Sequence, residues 1–428
     1  MTVACPPAAV ARDRGRLLAT ERALAAAMRL PEHRRRHGGP PWHELPAAPA
    51  AGLIQLADAV DLRGRGGAGF PVARKLEAVT RSRATPMLLV NGVEGEPLSA
   101  KDRALLTAAP HLVLDGAMVL AVAIGAAAVV VATQARTLPG LERALAERGG
   151  QDPVPIRLAA TPQAFVAGEE TALVHWLMAR DPRPTARPPR PFERGLDNRP
   201  TLVQNAETVA QVALLAAHGA AGYRSAGTPG EPGSTLVTLS GAVRWPGVYE
   251  IEVGSPVAQV LARAGGPTQP IRAVLAGGYF GAYLPAAALD RLLWSRAGLG
   301  QWGANSGAGV IHLLASSRCP ARDAAHLATI LARESAGQCG PCVHGLAAIA
   351  AGLRRLAAGP PGALDRELAQ LHLWMDEVRG RGGCRFPDGS VATIASALRV
   401  FADDWEAHAV GGCVAGAGAA ASLAGGGR

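Results

Sequence analysis

The strongest constraint on the fold is a run of 17 uncharged residues, Gly116 to Ala132 (GAMVLAVAIGAAAVVVA). It is nearly long enough to span a bilayer, but Ala and Gly, weak contributors to insertion, dominate it, and Asp115 abuts it. A buried helix to Ile124, a break at Gly125 and a strand over Val129–Val131 fit the run better. That succession belongs to an α/β domain. No transmembrane segment is expected, and any membrane contact would be indirect, through a partner.

Composition narrows the class. The chain has 428 residues, 49% apolar and 18% charged, which excludes a wholly disordered or coiled-coil protein and leaves room for two or three domains. Aromatics are only 4%, so Ala, Val and Leu must build the core. The six cysteines are irregularly spaced, which argues against a disulfide scaffold. The first residues lack the apolar core of a signal peptide, and Asp13 and Glu21 count against a transit peptide, so a cytoplasmic protein is expected. Of the 43 basic residues only Lys75 and Lys101 are lysines, and the net charge is +9. The arginines are scattered, Arg34 to Arg36 being the only tight cluster. An acidic protein partner or cofactor phosphates account for the charge better than nucleic acid.

Residues 1–50 read as an Ala/Arg-rich helix and a Pro-rich linker. From 51 to 225 helical and strand-like runs alternate, as α/β units do. The stretch AGTPGEPGS (226–234) marks a boundary. A small α+β unit follows over 235–312. It has two strands around Trp245-Pro246-Gly247, with Tyr249, Ile251 and Val253 on one face, and then a helix capped by Ser255, with Pro256 in its first turn. Over 320–410 four helical stretches suggest a four-helix bundle. The Gly/Ala-rich end, 411–428, reads as a disordered tail.

Three loops carry chemistry. In LRGRGGAGFPVARK (62–75), Gly64, Gly66 and Gly69 let backbone amides approach a phosphate or a flat ring, and Lys75 follows as a point charge. The preceding LIQLADAV reads as helix, so this is not the usual dinucleotide fingerprint, which follows a strand. NGVEGEPLSAKDR (91–103) follows the apolar strand MLLV, and loops at strand ends are where α/β domains bind ligands. AGEET (167–171) puts two carboxylates at a helix start, where capping is the plainer reading. Both lysines fall inside these loops. Cys339-Gly-Pro-Cys342, with Cys384 downstream, fits metal or Fe–S ligation, one thiolate short of the usual four.

Taken together, these residues resemble the NADH-binding flavoprotein subunit of respiratory complex I, shared with diaphorase subunits of NAD-linked hydrogenases and formate dehydrogenases. The similarity runs in order from about 50 to 408 and includes GLDNRPTLVQNAET (195–208) and ESAGQCGPC (334–342). It implies an α/β flavin- and nucleotide-binding domain, a β-grasp-like soluble-ligand-binding domain and a helical Fe–S domain. It implies FMN cradled by Gly64, Arg65, Gly66 and Lys75, with Asn91, Glu94, Gly168, Glu169 and Asn205 along its chain and ring. Gly67, Phe70 and Glu96 would hold NADH, and Glu170 and Arg187 add further cofactor contacts. Glu96 and Glu169 would be the catalytic carboxylates. Electrons would leave through a 4Fe–4S cluster on Cys339, Cys342 and Cys384 to a redox partner subunit or ferredoxin-like protein.

This sequence also departs from the family. Ala336 stands where the first cluster cysteine belongs. That leaves no cluster, a 3Fe–4S cluster, or four irons with Cys319, His344 or solvent as the last ligand. Val93, Leu98, Ala100 and Gln204 replace family residues around the flavin. Arg187 and Arg190 replace a lysine and an aromatic near the adenine, a pair of guanidinium groups suited to the 2′-phosphate of NADPH. These losses keep a second reading open, a degenerate homologue that serves as a binding scaffold without electron transfer.

Overall fold

The computed structural model describes residues 15–18, 27–45, 48–185, 188–359, 364–413 and 415. Four strands, β1 (Met87–Gly92), β2 (Val129–Gln134), β3 (Ile156–Thr161) and β4 (Thr201–Asn205), form a parallel sheet in the order β3-β2-β1-β4. Parallel neighbours need crossovers, and helices supply them. Helices α1 (Leu30–His37), α2 (Pro49–Ala59) and α3 (Val72–Thr80) precede β1. Helices α4 (Lys101–Ala108) and α5 (Pro110–Ile124) lead to β2, α6 (Leu138–Arg148) to β3 and α7 (Glu170–Ala179) to β4, and α8 (Ala206–Tyr223) follows.

The uncharged run is buried as expected. Helix α5 ends at Gly125, which takes the left-handed conformation (φ 64°), and β2 is buried along its whole length. A Cβ at Gly116 would collide with the Val209 carbonyl, so this glycine lets α5 and α8 pack backbone to backbone. Asp115 is an internal ion-pair partner, 2.8 Å from Arg148 and 2.9 Å from His33. Among the described residues no single helix is long and apolar enough to cross a membrane. The α4–α5 pair, bent by 96°, matches a span only in length and composition. The segment read as extension and linker contributes α1 and packs inward: Leu17, Leu18 and Trp42 lie in the core around α5. The remainder of its Ala/Arg-rich part lies outside the described residues.

A second sheet has the order β6-β5-β9-β7-β8, from β5 (Ser234–Gly241), β6 (Gly247–Glu252), β7 (Ile271–Ala276), β8 (Ala282–Pro285) and β9 (Val310–Ala315). Helices α9 (Val257–Arg263) and α10 (Arg296–Gly300) accompany it. Tyr249 and Ile251 are buried together in the core of this sheet, and Val253 is buried just past the end of β6. Ser255 does not cap α9. Pro256 occupies the N-cap position with φ −61° and ψ 127°, and no side chain caps the helix.

The last part is helical: α11 (Pro320–Arg333), α12 (Ala347–Ala358), α13 (Leu364–Val378), α14 (Phe386–Val400) and α15 (Ala402–Ala409). The fourth expected helix is thus two, broken at Phe401, whose φ −108° and ψ 28° leave the helical region. Phe401 is fully buried against Tyr283, ring centroids 5.0 Å apart, so packing on β8 overrides helical continuity. Most of the expected tail lies outside the described residues. Gly411 to Cys413, however, are ordered against α15, with Gly412 N donating to Ala407 O at 2.8 Å.

Candidate functional site

In the first sheet β1 has β2 on one side and β4 on the other, so the crossovers run in opposite directions from β1. The crevice at the carboxyl ends of β1 and β4 is the switch point where such sheets bind ligands. Asn91 and Asn205 form the last pair of the β1–β4 ladder. Asn91 Nδ2 donates to Gly168 O (2.8 Å), and its Oδ1 accepts Val93 N (3.1 Å). Asn205 caps α8 through its Oδ1, which accepts Glu207 N (3.1 Å), and its Nδ2 donates to Asp102 Oδ2 (2.7 Å).

The glycine-rich loop arches over this edge. Val72 N to Leu62 O and Gly64 N to Phe70 O, both 2.9 Å, close its base. A Cβ at Gly66 would stand 3.3 Å from Asn205 Cβ, and Gly67 has φ 104°. Side chains at either position would fill or strain the space above β4. Arg65 N donates to Thr208 Oγ1 (2.8 Å), and its guanidinium turns to Ser234 O (3.3 Å). The Arg65 side chain therefore supports the loop from the β5 side. Phe70 stands half exposed on the same loop. Lys75 Nζ bonds Glu170 Oε2 (3.0 Å) and Val203 O (3.1 Å), spanning α3, α7 and β4.

The acidic loops are locked by backbone amides. Glu94 Oε2 accepts the amides of Asp102 (2.9 Å) and Arg103 (3.2 Å) at the start of α4. Glu169 Oε2 accepts Thr171 N and Ala172 N, both 2.9 Å, as the N-cap of α7, so the plainer capping reading holds for this carboxylate. Glu96 is buried, with Oε1 accepting Leu98 N (3.2 Å) and Oε2 accepting Tyr279 N (2.9 Å) from the β7–β8 turn. Oε1 thus steadies its own loop, and Oε2 clasps that loop to the second sheet. Burial, helped by the Glu94 charge, pushes its carboxyl up to about 7 against the pull of those two amides.

The sequence pointed to Lys101 only as a loop lysine, yet it is the hub beneath the site. Its Nζ lies 2.9 Å from Asp102 Oδ1 and 3.0 Å from Glu207 Oε2, with the residue 2% exposed. Burial alone would lower its pKa; the carboxylates of Asp102, Glu207 and Glu94 outweigh that and hold it above its ordinary value. Glu207 also accepts Thr235 Oγ1 (2.9 Å) and Leu236 N (3.0 Å) of β5. Arg187 lies outside the described residues. Arg190 is exposed, and its backbone N donates to Glu193 Oε2 (2.7 Å).

Cys339 and Cys342 flank a tight turn in which Cys342 N donates to Cys339 O (3.1 Å). The turn opens a six-residue π-helical segment, Pro341–Leu346, an irregularity frequent at functional sites. Burial, then the nearby Cys339 and Cys384 sulfurs, push the Cys342 thiol up to about 12. Cys384 is raised by burial and by Glu169 among its neighbours, so the start of α7 borders both the crevice and the cysteines. Ala336 packs half-buried against the same core. Cys319 is no fourth ligand here, because the 14-residue α11, about 20 Å long, separates it from this turn. His344 is exposed. Beside the cysteines, Phe165, Phe280 and Phe386 pack with ring centroids 4.7, 5.3 and 5.1 Å apart. No local motif marks this trio, which joins residues distant in the chain.

These features fit the groups the motifs imply. The glycine cradle, the Lys75 ammonium and the buried Gln204 Nε2, which has no hydrogen-bond partner, suit a phosphorylated, polar-edged flavin. The Cys339 and Cys384 sulfurs lie near enough to Cys342 to raise its thiol, and three neighbouring thiols suit iron–sulfur ligation.

Comparison with known proteins agrees. Residues 57–214 match the Nuo51 FMN-binding domain, 236–278 the SLBB domain, and 322–408 the NADH-ubiquinone oxidoreductase-F iron-sulfur binding region. Similar chains include the second F subunit of the NADH-quinone oxidoreductases of Rhizobium meliloti (strain 1021), 32% identical over 83% of this chain and 88% of that one. The F subunit of the Streptomyces coelicolor (strain A3(2)) enzyme is also 32% identical, over 84% of each. Two crystal structures of NAD+-reducing [NiFe]-hydrogenase superpose with TM-scores of 0.77 (H2-reduced, 32% identity) and 0.78 (air-oxidized, 30% identity). They cover 86% and 91% of this chain, but only 64% and 68% of the hydrogenase chain is matched. Fold and site together define a flavin- and iron–sulfur-dependent redox subunit. The chain belongs to the family of F subunits of NADH-quinone oxidoreductases.

Proposed function

We propose that the chain is the NADH-oxidising flavoprotein subunit of a larger redox assembly and hands electrons to partner subunits. Bound FMN would accept a hydride from NADH and release its two electrons singly to an iron–sulfur cluster. The observation that carries this reading is the meeting of three loops at the β1–β4 switch point, with the loop before α7 tied to the cysteine-bearing segment by Phe165 N donating to Glu334 Oε2 (3.2 Å).

In this reading residues 51–225 are the flavin and nucleotide domain, 235–312 the β-grasp-like domain and 320–410 the helical Fe–S domain. Backbone groups at Gly64, Arg65, Gly66 and Gly168 line the flavin. Lys75 would supply positive charge for its phosphate, and Asn91 and Asn205 would hold its polar edge. Glu94 and Glu170 act at one remove, fixing α4 and Lys75. Gly67 and the half-exposed Phe70 ring would hold the nicotinamide nucleotide. Glu96 and Glu169 hold the β1 and β3 loops in place rather than move protons. Cys339, Cys342 and Cys384 ligate the cluster.

The test is an absorption spectrum of the full chain, reconstituted anaerobically with FMN, iron and sulfide, before and after NADH. Flavin bands that bleach on NADH, over an iron–sulfur background that also changes, are expected. Protein that stays colourless would overturn the redox reading in favour of a binding scaffold.

A further inference from the structure

Away from the crevice, Cys319, His408 and Cys413 place one ligand atom each within 4.8 Å of the other two. Three separate turns build this group. Cys319 occupies the N-cap position of α11, just before Pro320. His408 lies in the last turn of α15, with Nδ1 2.9 Å from Ala357 O. A carbonyl only accepts, so Nδ1 carries the proton and Nε2 keeps its lone pair, which meets Cys319 Sγ at 3.1 Å. Gly411, with φ 79°, and the bond from Gly412 N to Ala407 O reverse the chain and bring Cys413 back to the pair.

We propose that Cys319, His408 and Cys413 form a zinc site that is separate from the cysteines of the iron–sulfur region. Two thiols and an imidazole are a soft donor set that selects zinc over magnesium or calcium. Tetrahedral ligands 2.0–2.3 Å from zinc stand about 3.3–3.8 Å from each other, so the group closes on an ion with small side-chain movements. The Ala357 carbonyl already plays the outer-shell part that orients a metal-binding histidine. Cys319 and His408 are 2% and 3% exposed, while Cys413 is partly exposed, so the fourth position opens on its side to water. On binding, the two thiol protons pass to solvent and two S–Zn bonds and one N–Zn bond form. The ion stays divalent, and no oxidant is needed. The site clips α15, and with it the end of the helical region, to the start of α11.

Cobalt(II) tests the site in reduced full-length protein carrying Cys339→Ser, Cys342→Ser and Cys384→Ser, which removes the competing thiols. One cobalt per chain is expected, with a thiolate-to-cobalt charge-transfer band that stoichiometric zinc abolishes. Adding Cys413→Ser, a change at a partly exposed position, should weaken binding by more than the ~10–100-fold typical of an outer-shell change. Independently, zinc in otherwise unaltered holoprotein should fall from one per chain to none with Cys413→Ser. No cobalt uptake, uptake unaffected by Cys413→Ser, or a Cys319–Cys413 disulfide persisting under the same reducing conditions would each overturn the proposal.

Discussion

Asn91 and Asn205 face one another as the last pair of the β1–β4 ladder, and each spends its amide on a different loop. Asn91 holds Gly168, and Asn205 holds Asp102 while capping α8. The floor of the crevice is thus set by two side chains whose backbones the sheet already fixes. Asn205→Ala removes the cap and leaves Asp102 short of a donor, a combined loss of about 2–3 kcal/mol. Urea denaturation of the variant should show it, with Asn205→Asp recovering the cap but not the bond to Asp102.

The two lysines should behave oppositely. Lys101→Met strands Asp102 and Glu207 in the interior and should cost about 3–5 kcal/mol in denaturant unfolding. Lys75 and Glu170 are 30% and 38% exposed, so Lys75→Met should shift stability by less than about 1 kcal/mol while weakening FMN binding. Flavin fluorescence on titration separates the two effects.

Glu96 makes stability depend on pH in an identifiable direction. Its folded pKa of about 7 lies above the ordinary 4.5, so the folded chain holds a proton that the unfolded chain has lost between those values. Folding stability is therefore full below about 4.5 and falls as pH rises toward 7, by up to about 3 kcal/mol from this group. Thermal melts across pH 5–8 should show the decline, and Glu96→Gln should make it shallower.

The same carboxylate shows where sequence reading stops. The α5–Gly125–β2 succession, the three ligand loops and the cysteine turn were legible because each is local: an uncharged run, a glycine spacing, a Cys-x-x-Cys. What Glu96 does was not, because it depends on who donates to it. Glu96 meets Tyr279, 183 positions away, and no motif encodes that distance. Phe401 ends α14 for a similar reason, since its partner Tyr283 belongs to β8, far away in the chain. Ser255 misled because Ser-Pro is a common cap pair, whereas here Pro256 itself takes the extended N-cap conformation.

Ala336→Cys restores a fourth thiol on the segment that carries Cys339 and Cys342. Iron and sulfide counts after challenge with a chelator should rise toward four of each per chain, relative to the unaltered protein.

Arg190 projects from the loop after residue 187, and its guanidinium suits a 2′-phosphate better than a bare ribose. Arg190→Ala should raise the KM for NADPH several-fold while leaving that for NADH nearly constant. Steady-state rates with both nucleotides check this.

Polar stitches join the two sheet units, among them Glu207 to Thr235 and Leu236, Glu96 to Tyr279, Ser99 to Ala308, Thr238 to Ala100 and Gln211 to Ser234. A seam made this way resists sliding, because each bond has one geometry, where greasy surfaces would tolerate slippage. The sheets are therefore geared together, and a tug on the β7–β8 turn is felt at the end of β1.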